Sequence, residues 1–150
     1  MSEDTKVEGP LELGMITLRA DLSEATKALS LAMPEPLCLV EDGPRRVAWM
    51  SPDELLVMLP RAEVAAQMAE FKSKLGPMPH LLADVSDARS HFKVEGSGAL
   101  DVLAKGSPLD LNEFAPGGFR RTRLGQVAVA VWRTETGVGL LSARSVAAFV

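Results

Sequence analysis

The same order of predicted elements occurs twice along this chain of 150 residues. Apolar spacing and turn residues predict strand, helix, two strands and helix over 15–75, and the same order over 90–150. Four residues recur between the halves at one constant offset: Leu59, Val64, Ala65 and Ala66 match Leu141, Val146, Ala147 and Ala148. Trp49 and Trp132 lie on matching strands. We therefore expect an α+β fold of two ferredoxin-like β-α-β-β-α repeats that share one core.

The segment between Pro60 and Gly76 gives the strongest helix signal. Apolar residues recur there at helical spacing, and polar residues fill the opposite side. The apolar set is Val64, Met68, Phe71 and Leu75, and the polar set is Glu63, Gln67, Glu70 and Lys74. The pattern predicts an amphipathic helix that packs on a sheet and ends at the Gly-Pro pair.

Weaker patterns complete the two repeats. In the first, we expect strands over 15–19, 47–50, 55–59 and 81–85, and a helix that Asp21 caps and that ends before Pro34. In the second, we expect strands over 91–95, 119–124, 127–133 and 138–141, a helix over 99–104, and a last helix over 145–150 that is either trimmed or completed by a partner. Residues 1–13 have no period and carry four acids against one lysine. They predict a flexible N-terminal arm before a single domain over 14–150.

Composition excludes several classes of protein. Hydrophobic residues make up 47% and charged residues 24%, the balance of a globular chain. One cysteine, Cys38, rules out an internal disulfide, and two histidines, His80 and His91, leave little for a metal centre or a catalytic triad. No apolar run approaches the roughly 20 residues of a membrane span, and the acidic start is unlike a secretory signal. We expect a cytoplasmic protein that does not bind a membrane.

The net charge of −4 is unevenly distributed. From Phe114 onward five arginines face one acid, Glu135, which gives +4, so the preceding residues carry −8. An acidic total argues against a nucleic-acid-binding protein, which usually has a broad basic surface. The basic stretch around Arg121 and Arg123 is either a docking patch or a solvated strand face.

The strand predicted over 127–133 is apolar on both faces, as in a strand that is covered on both sides. The valines alternate there with Ala128, Ala130 and Trp132. A domain of this size covers one side with its own helices, so we expect the second side to need a partner. The predicted partner-contact residues are Arg121, Arg123, Ala128, Ala130 and Trp132.

Candidate catalytic and binding residues are few. Gly96-Ser97-Gly98 opens a helix where a dinucleotide fingerprint would lie, but its third glycine position is Asp101, whose charge would oppose a pyrophosphate. Asp84 and Asp87 flank Val85-Ser86, and a turn in which such side chains bond their own backbone is favoured over a catalytic carboxylate pair. We predict no catalytic, cofactor-binding or metal-binding residue in this chain.

Three motifs from residue 80 onward resemble the folate-binding aminomethyltransferase superfamily, which includes the glycine-cleavage T-protein. They are Asp84-Val85-Ser86-Asp87-Ala88-Arg89, Gly96-Ser97-Gly98-Ala99 with Leu103, and Pro108-Leu109-Asp110-Leu111. One branch, the gamma subunits of heterotetrameric sarcosine oxidases, is most similar at Lys105-Gly106-Ser107, Arg123-Leu124-Gly125 and Ala143-Arg144-Ser145. The resemblance covers residues 80–150 and, by element order, 45–75.

The chain differs from the transferases at one hairpin. In the transferases, the strand that matches 121–124 runs into a long loop that supplies a catalytic aspartate. Here Gly125-Gln126 replaces that loop, and no aspartate follows Asp110. The resemblance therefore implies the fold of this family without its transfer chemistry.

What the resemblance implies is a non-catalytic gamma subunit that supports assembly of a larger enzyme. That complex oxidatively demethylates sarcosine to glycine, produces peroxide and passes a one-carbon unit to tetrahydrofolate. FAD, FMN, NAD, zinc and tetrahydrofolate would be bound in or on the other subunits, which are the large alpha and beta subunits and the small delta subunit. Two alternatives stay open: a free-standing folate or one-carbon binding module without transferase activity, and an interaction domain with another partner.

Overall fold

The structure is a computed structural model that describes residues 5–109 and 114–144. In chain order its elements are β1 (Lys6–Leu11), β2 (Gly14–Ala20), α1 (Leu22–Leu29), β3 (Leu39–Asp42), β4 (Arg45–Ser51), β5 (Glu54–Leu59), a 3₁₀ turn (Arg61–Glu63), α2 (Val64–Leu75), β6 (His80–Asp84), β7 (Arg89–Glu95), α3 (Ala99–Gly106), β8 (Phe119–Leu124), β9 (Val127–Arg133) and β10 (Gly137–Ala143). The α+β class predicted from the sequence is confirmed. No helix among these residues is long and apolar enough to cross a membrane.

The chain divides into two compact units. The central unit is Glu12–Asp87, and the terminal unit combines the residues up to Leu11 with those from Ala88 onward. Each unit contains one five-stranded sheet, and neighbouring strands in both sheets are antiparallel. Each unit also has its own hydrophobic cluster, which packs between one face of the sheet and α1 and α2 in the central unit, and between one face of the sheet and α3 in the terminal unit.

The two sheets have the same connectivity. The central sheet runs β3-β4-β5-β2-β6, and the terminal sheet runs β8-β9-β10-β7-β1. In the central sheet, β2, which precedes α1, pairs with β5. In the terminal sheet, β7, which precedes α3, pairs with β10 in the same way. The predicted duplication is therefore confirmed in topology over the described residues, but each repeat has three strands after its first helix and not the two of the predicted β-α-β-β-α order. The last predicted helix, over 145–150, lies outside them, and the single core shared by both repeats stays a prediction.

Local signals account for the helices of the central unit. The Asp21 carboxylate accepts a hydrogen bond from the Glu24 backbone N–H at 3.2 Å and so caps α1. The left-handed conformation of Ser30 ends α1 well before Pro34. Helix α2 buries Val64, Phe71 and Leu75, as its spacing predicts, and Met68 packs against the same cluster. Each helix thus turns its apolar stripe toward the central sheet.

Two edge strands were not predicted from the sequence. The prediction of a flexible arm over 1–13 is wrong for residues 6–11, because β1 pairs with β7, with Lys6 opposite Glu95 and Val7 opposite Val94. Strand β3, which has four residues, pairs with β4. The residues of β1 are almost all exposed and those of β3 are at most half-buried. Strands held by pairing at one edge need no alternation of apolar residues, which is why their sequences carry no strand signal.

The terminal unit buries its tryptophan against a glycine on the neighbouring strand. Trp132 on β9 is 1% exposed, and its ring is stacked with those of His91 and Phe119 at centroid distances of 5.5 and 6.2 Å. Gly139 lies opposite Trp132 on β10. A Cβ atom at position 139 would lie 2.2 Å from Cε2 of the indole, so only glycine leaves room for the ring.

We expect Gly139→Ala to lower the free energy of unfolding by about 1–3 kcal/mol, because the added methyl overlaps the ring and the sheet must shift. Urea unfolding followed by circular dichroism measures this change. Ala143→Ser is the matched control, since it adds one heavy atom to an exposed position of the same strand and should change stability by less than about 0.5 kcal/mol. Equal destabilisation of the two variants would contradict the packing argument.

Candidate functional site

The predicted partner-contact residues lie on the hairpin of β8 and β9, but they do not form one exposed surface. Arg121 is opposite Ala130, and Arg123 is opposite Ala128. Arg121, Arg123 and Ala128 are exposed. Ala130 and Trp132 are 8% and 1% exposed in the isolated chain. The inclusion of these two residues is therefore corrected: the chain itself covers them, and neither is available to a partner in this structure.

The physical reason is that the second apolar face of β9 is covered from within the chain. The indole of Trp132 stacks with the rings of His91 and Phe119 and fills the space over Gly139. An apolar pattern on both faces of a strand shows that both are buried, but it does not show which element buries them. What remains of the predicted contact surface is the basic part, Arg121, Arg123 and the small Ala128, which we call the arginine edge.

The arginine edge carries charge that this part of the chain does not neutralise. Among residues 5–109 and 114–144, Arg121 and Arg123 form no ion pair. Other arginines are paired: Arg19 with Glu54, Arg45 with Asp42, and Arg61 with Asp87. Two neighbouring guanidinium groups that meet no carboxylate among the described residues can bind an acidic group from outside.

The hairpin that joins β8 to β9 is a tight turn. Only Gly125 and Gln126 separate the strands, with Leu124 opposite Val127. Gly125 has a φ of 62°, the left-handed conformation that a two-residue hairpin turn requires. This hairpin has no side-chain carboxylate, so the position where the transferases are expected to hold an aspartate offers no general base.

The glycine-containing turn before α3 does not fit a dinucleotide. The backbone N–H of Gly98 donates to the Thr5 hydroxyl at 3.0 Å, so this donor is already used inside the protein. Asp101 places a negative charge in the first turn of the helix, where a pyrophosphate would need positive potential. The turn has the structural role expected from its sequence.

A groove of about 590 Å³ lies beside this turn in the terminal unit. Strand ends, the start of α3 and the β9–β10 turn form its walls. Its charged lining residues are Lys6, Arg133, Glu95 and Glu135, two cations and two acids. Arg133 is further engaged by the Phe114 carbonyl, to which it donates at 2.6 Å. The groove therefore has no net charge and no cysteine or histidine in its wall.

The Asp84–Asp87 motif is a structural turn in the central unit. Ser86 is 5% exposed, and its hydroxyl accepts a hydrogen bond from the Met15 backbone N–H at 2.9 Å. The same hydroxyl donates to Asp84 Oδ1 at 2.6 Å, and the Ser86 backbone N–H donates to that oxygen at 3.0 Å. Ser86 thus ties the end of β6 to β2. The signal for this role was present in the sequence, since Asp-x-Ser is a common turn spacing.

Asp87 points to a different partner. Its carboxylate accepts a hydrogen bond from Arg61, and this bond, together with the charge of Asp87, raises the pKa of the Arg61 guanidinium. Asp84 and Asp87 thus bind separate groups, Ser86 and Arg61. The pair with Arg61 is largely exposed, so it contributes little to stability.

His91, His80 and Cys38 are the remaining residues that the sequence analysis considered. His91 is buried in the stack with Trp132, and His80 Nδ1 lies 2.6 Å from the Met78 carbonyl oxygen. Cys38 is a half-buried free thiol. Over the described ranges, no group of three or more His, Cys, Asp or Glu residues is placed to hold a metal ion.

Sequence comparison connects the chain to one family. A family model described as "Sarcosine oxidase, gamma subunit family" matches residues 18–136. The sarcosine oxidase subunit gamma of Corynebacterium sp. strain U-96 is 37% identical over 90 residues, which are 59% of this chain and 43% of that protein. The subunit of strain P-1 is 33% identical over 112 residues, which are 72% of this chain and 54% of that protein. The chain spans about half the length of the curated relatives it matches.

Two solved structures share the fold. The heterotetrameric sarcosine oxidase from Corynebacterium sp. U-96, in complex with pyrrole 2-carboxylate, contains a chain that matches with a TM-score of 0.84 and 26% identity, over 95% of this chain and 77% of that one. Aminomethyltransferase T of the glycine cleavage system from Bartonella henselae matches with a TM-score of 0.75, over 97% of this chain and 44% of that one. At 12% identity, the second match shows the fold alone.

We expect Ser86→Ala to lower the free energy of unfolding by about 1–3 kcal/mol, because it leaves the buried Met15 N–H without its acceptor. Ser73→Ala, on the exposed face of α2, is the control and should change stability by less than about 0.5 kcal/mol. Denaturant unfolding of the three proteins gives the comparison. A Ser86→Ala variant as stable as the original chain would contradict a structural role for this motif.

Proposed function

Because the chain belongs to the sarcosine oxidase gamma subunit family, we propose that it is a non-catalytic subunit of a heterotetrameric sarcosine oxidase. The observation that carries the proposal is the structural match to the heterotetrameric enzyme across almost the whole chain. The curated relatives of similar sequence bear the same subunit name. The partners would be the large alpha and beta subunits and the small delta subunit.

The proposed complex oxidatively demethylates sarcosine to glycine, reduces oxygen to peroxide, and passes the one-carbon unit to tetrahydrofolate or releases it as formaldehyde. The chemistry is assigned to the other subunits, which would hold FAD, FMN, NAD, zinc and tetrahydrofolate. Three observations support this division. The Gly125-Gln126 turn has no carboxylate, the donor at Gly98 is already used, and the described residues form no metal-binding cluster.

The contribution of this chain would be a rigid surface that supports assembly. Within the terminal unit, Trp132 and Ala130 are buried and hold β9 in the sheet, while Arg121, Arg123 and Ala128 on the same hairpin are exposed. A surface held by a packed core loses little conformational entropy when a partner binds, which favours tight association. The proposed location is the cytoplasm, where a free thiol such as Cys38 stays reduced.

We expect co-expression of this chain with the three other subunits to yield one stable complex that contains all four. Size-exclusion chromatography with analysis of subunit composition tests this expectation. Omission of this chain should lower the yield or the thermal stability of the complex, because its supporting surface is lost. Clean separation of this chain from the others on the sizing column would overturn the proposed function.

A second candidate function, a free-standing folate-binding module, is favoured by one observation: the groove in the terminal unit has the volume of a small-molecule site. The two functions predict different responses to tetrahydrofolate. For the isolated chain we expect a flat response of the Trp49 and Trp132 fluorescence during titration, because no carboxylate is available on the β8–β9 turn. The assembled complex is the positive control, and a saturable change with the isolated chain would favour the second candidate.

A further inference from the structure

Strand β8 is an open edge of the terminal sheet. It pairs with β9 on one side, and within residues 5–109 and 114–144 no strand lies on its other side. It has six residues, Phe119–Leu124, and contains no proline. An unpaired strand of this length presents backbone donors and acceptors to any extended segment that approaches it.

The register of the hairpin shows which backbone groups face outward. In a two-residue hairpin, the residues that flank the turn, here Leu124 and Val127, exchange both backbone hydrogen bonds, and bonded and non-bonded pairs then alternate along the strands. Thr122 and Arg120 therefore turn their N–H and C=O groups toward β9. Arg121 and Arg123 turn theirs toward the open edge.

The same two residues carry the unneutralised charge. Arg121 and Arg123 are exposed and form no ion pair among the described residues. Their side chains project from one face of the sheet, because they are two positions apart on a strand. Opposite them on β9 stand Ala130, which is buried, and Ala128, which is exposed.

The charge of this edge selects the kind of strand that fits. A second copy of β8 would place arginines against arginines, and like charges on adjacent strands repel. A strand with carboxylates at alternate positions would place one acid beside each arginine. The other edges lack this combination, because β1 contains Pro10, β3 has four residues and β6 has no arginine.

We propose that an extended acidic segment of a partner subunit pairs with β8 as an added strand, with alternate carboxylates facing Arg121 and Arg123. The inference rests on the proposed function, since it requires a partner subunit. It adds the mode of association, backbone pairing at a sheet edge, and the chemistry of the segment that binds.

The first test uses charge reversal in the co-expressed complex. Arg121→Glu combined with Arg123→Glu should weaken association of this chain by at least about tenfold, because the carboxylates would then face carboxylates. Lys27→Glu combined with Lys72→Glu makes the same change in net charge on exposed helix positions and should leave association unchanged. Arg121→Lys combined with Arg123→Lys should retain most of the affinity. Association measured at increasing salt should weaken for the original chain.

The second test reads the backbone of the original chain and needs no variant. Hydrogen exchange with single-residue resolution should show fast exchange at the Arg121 and Arg123 amides of the isolated chain. The Arg120 and Thr122 amides, which bond to β9, should already exchange slowly there. In the assembled complex the amides of Arg121 and Arg123 should exchange at least about tenfold more slowly. Side-chain contact alone would leave these two outward amides fast.

The outcomes separate the two proposals. If the original chain does not join the other subunits, both the proposed function and this inference fail. If it joins them but the charge-reversal variant binds equally well, or the outward amides keep their free exchange rate, the inference alone fails. If the variant is unfolded by circular dichroism, the amide measurement on the original chain decides. If the isolated chain forms a dimer that protects the same amides, the proposal of an acidic partner segment is wrong, and a second copy of this chain pairs with β8 instead.

Discussion

The packing of Trp132 against Gly139 is the contact on which the terminal sheet depends. The indole of Trp132 on β9 lies over Gly139 on β10, which has no side chain. His91 on β7 and Phe119 on β8 stack with the indole and extend this aromatic layer to the two neighbouring strands. One aromatic layer therefore holds four of the five strands together: β7, β8, β9 and β10. Arg121 and Arg123 follow Phe119 on the same face of β8, so this layer also fixes the strand from which they project. Buried aromatic surface of this size is among the larger contributions a small unit can make to its stability.

Elements with a complete local signal were predictable from the sequence. Helix α2 has an apolar stripe and a terminator, α1 has a capping aspartate, and the two predicted hairpins, β4–β5 and β8–β9, have turn residues between their strands. Strands β1 and β3 have no such signal, because an edge strand is stabilised by the strand beside it and not by its own pattern. The position of these two strands depends on tertiary pairing, which a single sequence does not express.

The candidate site was predictable only in part, for a similar reason. The sequence identified the basic hairpin and the absence of a carboxylate at Gly125-Gln126, and both depend on residue identity alone. From the sequence we assigned the cover of Trp132 to a partner, because a buried pattern on a strand does not distinguish a neighbouring strand from another subunit.

The Asp-x-Ser motif shows that residues typical of a family can have a purely local contact role. Its residues resemble those of an enzyme family, yet the contacts of Ser86 with Met15 and Asp84 are those of a tether between strands.

The pairing of β1 with β7 has a consequence for the order in which the chain folds during synthesis. All strands of the central sheet lie between Gly14 and Asp84, so this sheet can form as soon as β6 leaves the ribosome. Strand β1 is made before the central unit, but its neighbour β7 is made only after that unit, since Lys6 pairs with Glu95. The terminal unit therefore closes after the central one and through a contact of high sequence separation, which is slow to form. Until then, β1 is an unpaired strand attached to a folded unit, and a chaperone or a partner chain has that interval in which to bind it.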